Sequence, residues 1–71
     1  MMAGAKNYQV ERTELDGICV VIREYQIANR CHCHVENCDP GALIARGESD
    51  TAAEARSIAL AKAVRRLEIW T

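Results

Sequence analysis

From Tyr8 the chain alternates, with Tyr8, Val10 and Arg12 on one side and Gln9, Glu11 and Thr13 on the other. A period of two is the mark of a strand. Leu15, Asp16 and Gly17 then carry the Asp-Gly signal of a tight hairpin, because glycine supplies the positive φ such turns need. A second strand follows, in which Ile18, Val20 and Ile22 point one way and Cys19, Val21, Arg23 and Tyr25 the other. Gln26 to Glu36 reads either as one bent strand or as two strands. Asn29 is its only turn former, which favours a break or bulge there and resumed strand from Arg30 to Glu36. Asn37, Cys38, Asp39, Pro40 and Gly41 form a turn, and Ala42 to Glu48, with apolar Leu43 and Ile44, is the last strand.

After Asp50 the period changes to 3.6. Thr51 followed by Glu54 is a capping-box pattern, so a helix should open at Ala52. Asp50 and Glu54 lie at its positive end, and Lys62, Arg65 and Arg66 lie toward its negative end, as the macrodipole favours. At 100° per residue Ala52, Ala53, Ala59, Leu60, Ala63, Val64, Leu67 and Trp70 share one arc, which must face a core. Each larger member would contribute roughly 1.5–3 kcal/mol if fully buried.

Strand, strand, strand, a fourth if the break at Asn29 is real, and then a helix define an α+β domain. The expected architecture is an antiparallel three- or four-stranded meander with one C-terminal helix packed on one face, βββα or ββββα. Residues 8–71 form the single domain and Met1 to Asn7 a disordered tail. The helix should cover the side bearing Ile18, Val20 and Ile22, leaving Cys19, Val21, Tyr25 and Ile27 wet in a monomer. Ile58 and Ile69 interrupt the polar side of the helix. Val21, Tyr25, Ile27, Ile58 and Ile69 are therefore the expected interface residues of a homodimer.

Composition strengthens this reading. A chain of 71 residues with three aromatic residues and no phenylalanine builds a small aliphatic core, near the lower size at which one core suffices, so association would help it. Formal net charge is −1, with both signs mixed, which gives no long-range attraction to nucleic acid or an anionic membrane. The longest apolar run, Ile18 to Ile22, is too short to span a bilayer, and Met1 to Lys6 lacks a secretory hydrophobic segment. A cytoplasmic protein with four reduced thiols, Cys19, Cys31, Cys33 and Cys38, is expected, although an even count in a short chain would suggest disulfides if it were exported.

The chemically loaded stretch is Cys31, His32, Cys33, His34 and Cys38. Thiolates and imidazoles are zinc's preferred ligands, but one intervening residue replaces the two of a zinc knuckle. On a strand Cys31 and Cys33 share one face and His32 and His34 the other. One metal could then draw on Cys31, Cys33, Cys38 and, from the neighbouring strand, Cys19. The competing reading makes the cysteines small buried hydrophobes and the histidines exposed strand residues, with no cofactor. The same opposition of faces argues against a Cys-His catalytic dyad, and no phosphate loop, serine elbow or paired carboxylate accompanies the cluster. Catalysis is not expected. A strand meander followed by a helix also resembles the later part of a double-stranded RNA-binding domain, but Ser49, Asp50, Thr51 and Glu54 stand where such domains carry phosphate-gripping lysines. Arg56, Lys62, Arg65 and Arg66 give the helix a basic side, and a zinc or nucleic-acid module using them with the cysteines is the alternative function.

Pro40 and Gly41, Gly47, Thr51, Glu54 and Ala55, then Ala59 and Ala63 form a Pro-Gly turn, a glycine after the strand, a threonine cap and an alanine-rich helix. In this stretch, from Asp39 onward, the chain resembles the HicB-like antitoxin family. The Gly47 to Ala55 segment is two residues longer than that family's usual form, and the Cys and His cluster is foreign to it. The resemblance implies a meander plus a helix and a self-associating protein-interaction module that binds a small toxin partner. It assigns no site.

Overall fold

The computed structural model describes residues 4–39 and 41–70, Trp70 for its backbone alone. The strands β1 (Lys6–Leu15), β2 (Ile18–Ile27), β3 (Arg30–Asn37) and β4 (Leu43–Ser49) precede the helix α1 (Ala52–Trp70). The strands form one antiparallel sheet in the order β1-β2-β3-β4, so the architecture is ββββα. Lys6 and Asn7, expected in the tail, belong instead to β1, whose pairing carries on past a bulge to join Lys6 to Gln26. Asn7 is the extra residue, with φ 53.

Asp16 (φ 51) and Gly17 (φ 78) make the first hairpin turn and leave Leu15 opposite Ile18. Ala28 (φ 54) and Asn29 make the second, closing Ile27 onto Arg30. Gln26 to Glu36 is therefore two strands meeting at a tight turn. The third connection is braced by Asn37, whose Oδ1 accepts from the backbone amides of Gly41 and Ala42, both at 2.8 Å. Pro40 lies outside the described residues.

The register sorts the side chains. Val20, Ile22, Cys33, Val35, Ile44 and Ala45 are fully buried on the helix side. A bulge opposite the Val35–Glu36 step makes Ile44 the extra residue of β4, which is why Ile44 and Ala45 are both buried while Leu43 is exposed.

The helix buries a narrower seam than the expected arc. Ala55, Ala59, Ala63 and Leu67, each four residues apart, are fully buried. Leu60 and Val64 are half-buried, while Ala52 and Ala53 are exposed. The Trp70 side chain lies outside the described residues. Small side chains along the seam let the helix settle on the sheet backbone, and it lies chiefly over β4 and β3. Thr51 caps it, its Oγ1 accepting from the Glu54 amide at 3.2 Å. The Glu54 carboxylate accepts from the Ser49 hydroxyl, an alternative to the reciprocal bond of a capping box. Arg56 reaches outward from the helix to Glu24 of β2 and Glu11 of β1, both at 2.9 Å. Of β1, Leu15 packs against the buried core, while the helix lies chiefly over β4 and β3.

Candidate functional site

On the sheet face away from the helix, the tight turn at Ala28 and Asn29 sets Tyr25 directly opposite His32 and Arg23 opposite His34. The rings of Tyr25 and His32 stack with centroids 5.1 Å apart. Tyr8 stacks on Tyr25 at 5.8 Å, and His34 meets Tyr25 edge-on at 5.4 Å. The Tyr25 hydroxyl and His34 Nε2 are 3.1 Å apart. The tautomer of His34 sets the direction: the hydroxyl donates when the ring proton is on Nδ1, and Nε2–H donates when it is on Nε2. Burial holds the His34 imidazole below its ordinary pKa, Arg46, His32 and Arg23 push the same way, and Glu36 opposes them. The cluster is a fixed set of rings joined across three strands.

Beside it, a cavity of about 630 Å³ is lined by Tyr25, His32 and His34, by Arg46, Gly47 and Glu48 of β4, and by Ile58 and Lys62 of the helix. These residues come from both sides of the sheet, so the cavity wraps the outer edge of β4. Arg46 stands opposite His34 and Glu48 opposite His32. Arg30 binds Glu48 at 2.8 Å and also Asp50 at 2.7 Å, and the Arg30 hydrogen bond holds the Glu48 carboxyl below its usual range. Arg46 and Lys62 have no ion-pair partner among the described residues. The β4 edge is partly closed by Arg66, which donates to the Ile44 carbonyl.

The cysteines are not gathered. Cys19 and Cys38 are joined to each other as a disulfide, which corrects the expectation of four reduced thiols, since such bonds belong to oxidising surroundings. Cys31 and Cys33 are free and lie on the helix side. Cys33 is buried beside Gly47, and burial, its largest cause, pushes its thiol up to about 11, with Glu24 adding to the rise and Arg56 opposing it. Cys31 Sγ lies 3.8 Å from the Asp50 carbonyl. The quartet of Cys31, Cys33, Cys38 and Cys19 is thus split between a disulfide and two thiols on the opposite face. Among the described residues no group of three or more histidine, cysteine or acidic side chains is placed to hold a metal ion.

The expected interface residues are likewise divided. Val21, Tyr25 and Ile27 share the open face. Ile58 and Ile69 are on the helix, where Ile58 is half-buried at the cavity and Ile69 is 82% exposed. The five do not form one patch. Sequence reasoning passed over Tyr8, Arg46 and the cross-strand ring contacts. A two-residue turn placed at Ala28 would have revealed the contacts, because it fixes Tyr25 opposite His32.

No described helix is long and apolar enough to cross a membrane. Comparison with protein-family models, with curated proteins and with solved structures returns no match for this chain.

Proposed function

We propose that the chain is a non-enzymatic protein-interaction module that acts as a homodimer joined through β1. The observation that carries this reading is the state of that strand. It is ten residues long and contains no proline, no described strand pairs with its outer edge, and Tyr8 and Val10 stand 53% and 54% exposed on it. A long strand in this state is a template for another strand.

A two-fold antiparallel pair keeps both copies the same way up, so each β1 residue must face a partner of its own side. Centred on Val10, the pairing sets Val10 against Val10, Tyr8 against Arg12, and Gln9 against Glu11. These are an apolar contact, a cation–π contact and a hydrogen bond. Centring on Glu11 opposes two glutamates, and centring on Arg12 opposes two arginines. The Val10 register alone of these three avoids like charges, and both helices then lie on one side of a sheet running through both copies. The resemblance to HicB-like antitoxins supports the same class, a self-associating module with a small protein partner.

Sedimentation over a concentration series tests the proposal together with crosslinking of Val10→Cys and Arg12→Cys variants. A dimer, with Val10→Cys crosslinking readily and Arg12→Cys poorly, is expected. A monomer at high concentration would remove the proposal.

A further inference from the structure

We propose that the cavity at the β4 edge binds an organic phosphate monoester of mononucleotide size. Arg46 and Lys62 enter it from a strand and from the helix, both without an ion-pair partner among the described residues. Two basic side chains lining one concave surface without an ion pair of their own suit an anion, and a guanidinium offers a phosphate two parallel donors. The one carboxylate in the lining, Glu48, binds Arg30 at 2.8 Å, a guanidinium it shares with Asp50 at 2.7 Å. Glu48 stays an acceptor, suited to a ligand hydroxyl and not to the phosphate.

Size decides the rest of the ligand. A volume of about 630 Å³ lies within the roughly 300–1,000 Å³ of small-molecule sites and is more than a bare phosphate needs. Ile58 and the His32 ring supply less polar wall for an organic group. Tyr25 and His34 are bonded to each other at 3.1 Å, so the floor is set before a ligand arrives. The inference does not depend on pairing through β1.

The test is NMR titration of the full chain with inorganic phosphate, adenosine monophosphate, adenosine and a single-stranded oligouridylate. Saturable shifts of the His32 and His34 ring signals with the monophosphate, weaker ones with inorganic phosphate and none with adenosine are expected. An Arg46→Gln/Lys62→Gln double variant, with amide shifts altered only around the two exposed side chains, should bind roughly tenfold or more weakly. No saturable shift at millimolar monophosphate, or equal binding by the variant, would overturn the proposal. Binding of the oligouridylate alone would overturn it in favour of a strand-binding surface.

Discussion

Gly47 lies so close beneath Ala55 that a Cβ on it would stand 2.5 Å from the Ala55 carbonyl oxygen, and 2.7 Å from the Ala59 amide nitrogen. Both neighbours are helix backbone, which cannot turn aside as a side chain can. This contact fixes how near the helix lies to β4, and the alanine seam at 55, 59 and 63 follows from the same closeness.

Gly47→Ala is therefore expected to lift the helix from the sheet and destabilise the domain by about 2–3 kcal/mol, toward the upper end for overpacking. Chemical denaturation would measure it. A loss below about 0.5 kcal/mol, the range of ordinary surface changes, would mean that the helix is not seated on this glycine.

The His34 ring gives a pH prediction. Its pKa is lowered in the fold, chiefly by burial, so the folded protein resists a proton that the unfolded chain accepts at the ordinary value of about 6.5. The native state is then favoured above that value and loses stability as pH falls from it toward the lower folded pKa, because the unfolded state binds more protons there. An NMR titration should place the His34 midpoint below that of a free histidine. In a His34→Gln variant the slope of stability with pH in that window should flatten, and an unchanged slope would assign the effect to other groups.

The sequence disclosed elements more readily than contacts. Alternation in β1 and β2, Asp16-Gly17, the Asn37 turn and the Thr51 cap are local signals, and each element they predict is present. The side of β2 that meets the helix was legible because Val20 and Ile22 leave little choice. The seam of the helix was not, since Ala55 and Ala52 are equally small and only the proximity of Gly47 selects between them. The bulge at Ile44 and the pairing of Cys19 with Cys38 depend on register between strands, which single-strand periodicity does not encode. The cavity was hidden for the same reason, with Arg46 and Lys62 separated by sixteen positions of otherwise ordinary surface residues.

Ala28 marks a place where residue type and backbone disagree. Its φ of 54 belongs to the region glycine adopts freely, and an L side chain there raises the energy by roughly 1–2 kcal/mol. Ala28→Gly removes that strain and adds freedom to the unfolded chain, which offsets about 0.4–1 kcal/mol. A net gain of about 0.5–1 kcal/mol is expected, with no change in the Tyr25 and His32 ring contact. Loss of stability would mean that the turn does not hold this conformation.

The Cys19–Cys38 bond offers a test that joins chemistry to stability. It spans 19 residues and ties β2 to the turn after β3, where the Cys38 amide already donates to the Cys19 carbonyl at 3.1 Å. Closing a loop of that length in the unfolded chain corresponds to about 3 kcal/mol, a large part of the roughly 4–10 kcal/mol expected for a domain this size. Cys38→Ser should therefore lower the denaturation midpoint sharply, and reduction should lower it to a similar extent. Thiol titration in denaturant without reductant separates the bonded pair from Cys31 and Cys33. Two reactive thiols per chain are expected, and four would show that the bond is absent. In the folded protein near pH 8, half-buried Cys31 should label ahead of Cys33, whose thiol is both covered by the helix and held near 11, because the thiolate is the reacting form.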